Sequence, residues 1–364
     1  MPGEDGGDQQ MGGMAGMGTL PPFGWSEALA RWELHPVITA AAVLAGVLYL
    51  WGDWRVSRRH PARPWPWWRT LLFLGGLLVV VLATESGVGA YDDVLFWDHM
   101  IQHLLLIMVA PAMLVASQPM TLLLHASRNP LHTWAKRVLR SRLVTWLTWP
   151  PVGIAAYAAT IVGTHLTGLM NVMMSSAAAG DGEHALYLAA GCLLFLPLIG
   201  REPIRWRISH PMRILALFLV MPVDTFTGLV LGYASGGMSA AMRMRRSWGP
   251  SAVDDMHAGG AVMWIGGAAI MLALIMLTFL AWSRDERDVA GGRGWLESAR
   301  KASLASLTGA SLTGTGAAGR APGAAAGTSR DGRGRVDDDD EHLAAYNAFL
   351  ARINEAGHGR RGSR

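Results

Sequence analysis

Seven nearly unbroken apolar stretches dominate the chain, at roughly 36–52, 70–90, 98–118, 148–170, 184–200, 212–233 and 257–282. Each is about 17–25 residues long, which is what an α-helix needs to cross a bilayer core. None alternates apolar and polar positions as the strands of a membrane β-barrel do. The pattern predicts an all-α membrane protein, a bundle of seven transmembrane helices over residues 35–283. Two segments of different texture flank it. Residues 1–34 are Gly-rich and acidic, with methionines at Met11, Met14 and Met17. Residues 284–364 are a second tail, rich in Ala, Gly, Ser and Thr over 299–330 and expected to be disordered. Near its end Leu343, Tyr346, Leu350 and Ile353 recur at helical spacing and predict a short amphipathic helix.

Charge orients the bundle. The first loop carries Arg55, Arg58, Arg59, Arg63 and Arg69, the third Arg128, Lys136, Arg137, Arg140 and Arg142, and the fifth Arg201, Arg205, Arg207 and Arg213. The N-terminal tail (Glu4, Asp5, Asp8, Glu27), the second loop (Glu85, Asp92, Asp93) and the fourth (Asp181, Glu183) are mainly acidic. Basic loops stay cytoplasmic, so the N-terminus is expected outside and the C-terminus in the cytoplasm. The sixth loop dissents, with Arg243, Arg245 and Arg246 on the outer side. A short interfacial segment around Trp248 would accommodate them.

A formal net charge of +4 invites a nucleic-acid reading. The confinement of arginine to loops between apolar runs removes it; the partner expected from composition is the bilayer. No Lys or Arg precedes Arg31, so no cleavable signal peptide is expected. Cys192 is the only cysteine and excludes an intrachain disulfide. The phosphate-binding loop, HExxH and GxSxG patterns are all absent. The two lysines, Lys136 and Lys301, lie outside the spans, which excludes a retinal Schiff base.

Candidate chemistry then collects at one end. His99 and His103 are four residues apart on the third span and share one helix face. On the predicted topology His165 is near the outer end of the fourth span, and His184 and His257 are at the outer starts of the fifth and seventh. Asp224 sits in the outer half of the sixth, where a carboxylate needs a partner inside the bundle. Imidazole is the commonest ligand for late transition metals. Taken singly, an HxxxH pair also fits an interfacial pair bonded to loop backbone, and His184 and His257 also fit solvated helix starts. The outer methionines, among them Met100, Met170, Met173, Met174, Met238, Met242, Met256 and Met263, suit Cu(I) as soft ligands but are equally ordinary core filler.

Three stretches resemble a known family. His99-Met-Ile-Gln102-His103 with Ala110-Pro111 is similar to the H-M-x-Q-H…A-P signature of the multi-spanning CtaG family of cytochrome c oxidase assembly factors. The run from His184 through Tyr187, Gly191, Phe195, Pro197 and Gly200 to Pro203 resembles its second motif, and Asp255 with Gly259-Gly260 and Trp264 its third. The resemblance covers residues 36–282. It implies a seven-helix protein of a bacterial cell membrane that meets cytochrome c oxidase subunits and has a part in copper supply. Joined to the histidine cluster, it makes the expected function delivery of copper, as Cu(I), to an oxidase copper centre from the outer side. The expected metal set is His99, His103, His165, His184, Asp224 and His257. Ligand exchange would move the ion without turnover chemistry, so no enzyme is expected. A metal transporter and a b-type haem protein are the alternatives. The first would need polar groups across the whole bilayer, the second an axial pair from two facing helices.

Overall fold

In the computed structural model, the described residues are 21–24, 26, 30–173, 176–200, 202–206, 208–233 and 248–287. The Met11/Met14/Met17 stretch, Met174, Met238, Met242, the arginines of the sixth loop and the C-terminal amphipathic helix lie outside them. Every regular element among the described residues is helical.

Five runs are long and apolar enough to cross a membrane by length and composition: Pro36–Arg59, Trp67–Tyr91, Phe96–Ala126, His210–Tyr233 and Ala252–Arg287. The first of them is α1. The second is α2 (Trp67–Glu85) followed by α3 (Gly87–Tyr91), split at Ser86, whose side chain caps α3 by accepting from the Val88 N–H. The third comprises α4 (Phe96–Leu104), a π turn (Leu105–Val109), α5 (Ala110–Ala116) and α6 (Pro119–Ala126). The third loop folds into two further short helices, α7 (Leu131–Leu139) and α8 (Arg142–Leu147). The fourth and fifth predicted spans are helices as well, α9 (Pro150–Leu166) and α11 (Ala177–Leu198), with α10 (Leu169–Met173) between them. The sixth is α12 (His210–Tyr233). The seventh starts as α13 (Ala252–Ala261) and passes through a second π turn, Val262–Gly266. The chain divides by compactness after Trp282, and residues 283–287 are the end of that last helical run.

The α4–α5 run is the axis of the bundle. Its apolar window is 61% buried, against 17% for α1. It packs on α2, α11 and α13, while α1 leans chiefly on α2 and α6. Ile107, Met108, Ala110, Tyr157, Phe195, Leu217 and Val220 form the solvent-free core. The outward faces of α1 and α12 are apolar too, with Val43, Val47, Trp51, Phe218, Leu219 and Phe226 exposed. A chain apolar both inside and out is suited to lipid.

Two motif features explain how the helices close up. Pro111 lacks an N–H, so the carbonyl four residues back, on Ile107, loses its helical donor. Gly191 of α11 lies directly against that carbonyl oxygen, where a side chain would collide. In the third motif Gly259 meets the Phe96 ring of α4, while Gly260 lies against the Gly228 backbone of α12. The Gly191 and Gly259 contacts bring α11 and α13 close to the run that carries His99 and His103, and the Gly260 contact joins α13 to α12.

Asp255 fixes that helix. Its two carboxylate oxygens accept from the Phe96 and Trp97 N–H groups, each at 3.1 Å. These are among the donors that a helix start leaves without an internal partner. The cap sets the first turn of α4, and thereby the direction of Asp98 and His99.

Candidate metal centre

His99 and His103 share one face of α4, with ring centroids 4.0 Å apart and the ring planes tilted by 58°. Both are buried. His165 reaches them from α9: its Nε2 lies 3.1 Å from His103 Nδ1. From α11 comes Tyr187, whose ring stacks on His103 at 4.0 Å. The same helix brings in Glu183, with Oε1 3.5 Å from His103 Nε2.

Hydrogen bonding fixes where the imidazole protons sit. His165 Nδ1 is 2.9 Å from the Ile161 carbonyl, which only accepts, so Nδ1 carries the proton. Its Nε2 is then an acceptor, and His103 Nδ1 donates to it. That leaves His103 Nε2 with a bare lone pair facing the Glu183 carboxylate. Tyr187 is held by Thr164: the Thr164 hydroxyl donates to the Thr160 carbonyl at 2.8 Å and accepts from the Tyr187 hydroxyl.

The result is a pocket in which acceptors outnumber donors. His103 Nε2, Glu183 Oε1 and both ring nitrogens of His99 are buried with no hydrogen-bond partner. One ligand atom from each of His99, His103 and Glu183 fits within a mutual 4.8 Å. Buried polar atoms are nearly always satisfied. A cation, or a proton shared between Glu183 and His103, supplies what this group lacks. Two imidazoles and a carboxylate are a fitting donor set for a late transition metal.

The other sequence-predicted residues occupy different places. His184 is buried one helix position round from Glu183, with Nε2 3.8 Å from Asp92 Oδ2. Asp92 also accepts from Gln102 Nε2 at 2.8 Å, so His184 borders the centre through the H-M-x-Q-H glutamine. Asp224 is buried and takes both its oxygens to the Tyr157 hydroxyl, at 2.9 and 3.0 Å. His257 is exposed on the turn after Asp255. Thus the structure brings His99, His103 and His165 together, sets His184 beside them, and does not bring Asp224 or His257 into the group.

Glu183 was legible only as a loop charge, because the apolar run begins at His184. The fold starts α11 at Ala177, with Ser176 capping it by accepting from the Ala179 N–H. A Ser before three alanines is an N-cap signal. It would have placed Glu183 in the second turn, four residues before Tyr187 and on the same face.

Comparison with known proteins now bears on this geometry. The family model described as "Cytochrome c oxidase caa3 assembly factor (Caa3_CtaG)" matches residues 47–285. The chain belongs to that family. Uncharacterized proteins of Mycobacterium bovis (strain ATCC BAA-935 / AF2122/97) and Mycobacterium tuberculosis (strain CDC 1551 / Oshkosh) are each 29% identical over 274 residues, 73% of this chain and 41% of theirs. A third, from Mycobacterium leprae (strain TN), is 27% identical over 268 residues, 71% of this chain and 40% of its own length. The chain therefore spans about two fifths of the curated relatives it matches. No solved structure matches. The Caa3_CtaG match contains His99, His103, His165 and Glu183, so the buried cluster belongs to the part of the chain that defines membership. The family's description is of an assembly factor and not of a catalyst.

Proposed function

We infer that this Caa3_CtaG protein receives copper at the His99–His103–Glu183 cluster and passes it to a copper centre of cytochrome c oxidase. One observation carries the reading: His99 has both ring nitrogens buried without a partner, beside two further unpartnered acceptors, in a chain from an oxidase assembly family. Copper is the cargo. The charge balance favours Cu(I), because one carboxylate neutralises one monovalent cation, and a net charge buried at low dielectric is costly. His165 orients His103 by accepting a hydrogen bond from its Nδ1–H, the usual outer-shell way of presenting a ligand nitrogen.

The membrane arrangement is part of the same reading. Seven spans, counting α9 and α11, with basic loops in the cytoplasm put the cluster at the outer side of a bacterial plasma membrane, the side from which it would serve an oxidase copper centre. The test is metal analysis of the purified chain after loading with Cu(I). Bound copper should be lost in His99→Leu/His103→Leu while the protein stays folded. Unchanged copper in that double variant would remove the site.

A further inference from the structure

A cavity of about 490 Å³ opens beside the cluster, between α1, α2, the α4–α5 run and α11. Along α2 it extends from Thr84 to Phe73, about 16 Å at the helical rise. Its lower walls are apolar, with Ala41 and Ala45 from α1, Leu77 from α2 and Leu114 from α5. Its upper end is different: there it is bounded by Asp181 and His184. The size and lining, apolar with a few polar groups gathered in one place, are those of a small-molecule site. The polarity gradient follows the helix axes, as it would for a membrane amphiphile with its head at the outer end.

The head must suit what it meets. His184 Nδ1 is buried without a hydrogen-bond partner. Asp181 holds His35 Nδ1 at 3.0 Å through one oxygen and is part-exposed on the cavity rim. Asp92 lies 3.8 Å from the other nitrogen of His184, and Glu183 precedes it in sequence. These carboxylates repel a phosphate and so disfavour a phospholipid head. A neutral ring with hydroxyls in place of an anion both donates to a carboxylate or an imidazole lone pair and accepts from an imidazole N–H.

We propose that this cavity binds one isoprenoid quinol, its ring hydroxyls against Asp181 and His184 and its chain along Ala41, Ala45, Leu77 and Leu114. The site is independent of the copper reading. Neither Asp181 nor any of the apolar wall residues belongs to the buried cluster.

The experiment titrates the purified full-length protein in detergent with menaquinol-4, kept reduced under anaerobic conditions, and measures bound against free quinol. Saturable binding of one quinol per chain is expected. Asp181→Ala, on the rim and away from the core, should weaken it about tenfold, as loss of one hydrogen bond does. Ala45→Trp fills the slot and should abolish binding while copper content stays unchanged; Ala41→Phe is a milder filling should the tryptophan variant not fold. Phosphatidylglycerol in equal amount should not displace the quinol. Absence of saturable binding, full binding in the folded filled variants, or displacement by phosphatidylglycerol would each overturn the proposal, the last by making the cavity a general acyl-chain slot.

Discussion

The helical segment 96–126 meets a glutamate from a distant part of the chain near each end, Glu183 and Glu202, and the two are used in opposite ways. At the α6 end Glu202 accepts from the Met120 N–H at 3.0 Å, the Thr121 N–H at 2.8 Å and the Thr121 hydroxyl at 2.7 Å. Every donor released where the chain turns at Gln118 finds an acceptor, and the result is a cap. At the α4 end the capping is done by Asp255, so Glu183 has no structural bond to make through Oε1. It faces His103 Nε2 and the two ring nitrogens of His99, which likewise lack partners. A buried polar group that is fully bonded holds a structure together; a group of them left unbonded is available to a ligand. The two ends differ in that respect and not in burial, since both carboxylates are almost inaccessible.

Substitution should separate the two ends cleanly. The largest effect is expected for His99→Leu/His103→Leu, which should abolish copper binding yet change copper-free stability by no more than about 1–2 kcal/mol, because removal of the unbonded His99 nitrogens offsets the lost His103–His165 hydrogen bond. Replacing unsatisfied polar groups by apolar ones of similar shape removes a desolvation cost. Thermal melting of the copper-free form and copper titration read the two quantities separately. A large drop in copper-free stability would mean that the histidines are structural, and the contrast between the ends would fail. Glu202→Ala should do the reverse. It leaves two buried N–H groups without an acceptor and should cost about 1–3 kcal/mol, with copper stoichiometry intact.

Glu202 also sharpens the contrast through pH. Burial pushes its carboxyl above the usual 4.5, more than the Thr121 hydroxyl, the two N–H groups and Arg69 pull it down. A carboxyl raised in the folded state binds its proton more tightly there than in the unfolded chain. Its contribution is therefore complete at low pH and is lost as pH rises from about 4.5 through the raised value. Melting temperatures of the wild type and Glu202→Gln, compared across that range, should diverge in that direction. The Glu202 carboxyl differs from the α4 cluster in lying outside the spans.

Most of the helical framework was legible in hydropathy, because lipid-facing and core-facing positions are both apolar and leave long unbroken runs. Residues 98–118 and 212–233 fold within two residues of the helices they predicted, 96–116 and 210–233. The ends were less legible where small or polar residues extend a helix. α11 starts seven residues before the apolar run, and α1 continues to Arg59 with Arg55 and Arg58 laid over Trp51 and Trp54. At the site, His99 and His103 followed from their spacing, which is local. Glu183, Tyr187 and Thr164 did not. Their roles depend on the rotation of α11 and α9 about their own axes, which Gly191 against the Ile107 carbonyl helps to fix and which no single-helix pattern contains.

Asp255→Ala probes how far the cap at the α4 end supports the site beside it. Two N–H groups would lose their acceptor, at about 1–2 kcal/mol of stability. The first turn of α4 would loosen, and with it the separation of His99 from Glu183. A fall in copper affinity toward the lower end of the 10–100-fold range is expected, as for outer-shell changes in general. Melting and copper titration of the same sample should both move; a melt that falls with unchanged affinity would detach the cap from the site.

The smallest effect is expected at Asp224, whose depth in the sixth helix made it a metal candidate on sequence. Its oxygens share one donor, the Tyr157 hydroxyl, and it touches the seventh span after the second π turn, where Gly267 leaves room for it. Asn at this position keeps a carbonyl oxygen to accept from Tyr157 and removes a charge that has no cation bonded to it. Asp224→Asn should therefore change stability by no more than about 1 kcal/mol, the scale of a single interhelical hydrogen bond in a membrane protein, and leave copper binding as it was. Asp224→Leu removes the acceptor altogether and leaves the Tyr157 hydroxyl buried and alone, so it should cost more than Asn does. If Asn alone lowers copper affinity tenfold, Asp224 acts on the cluster through α9, which carries both Tyr157 and His165, and the site extends deeper into the membrane than the His99–His103–Glu183 group.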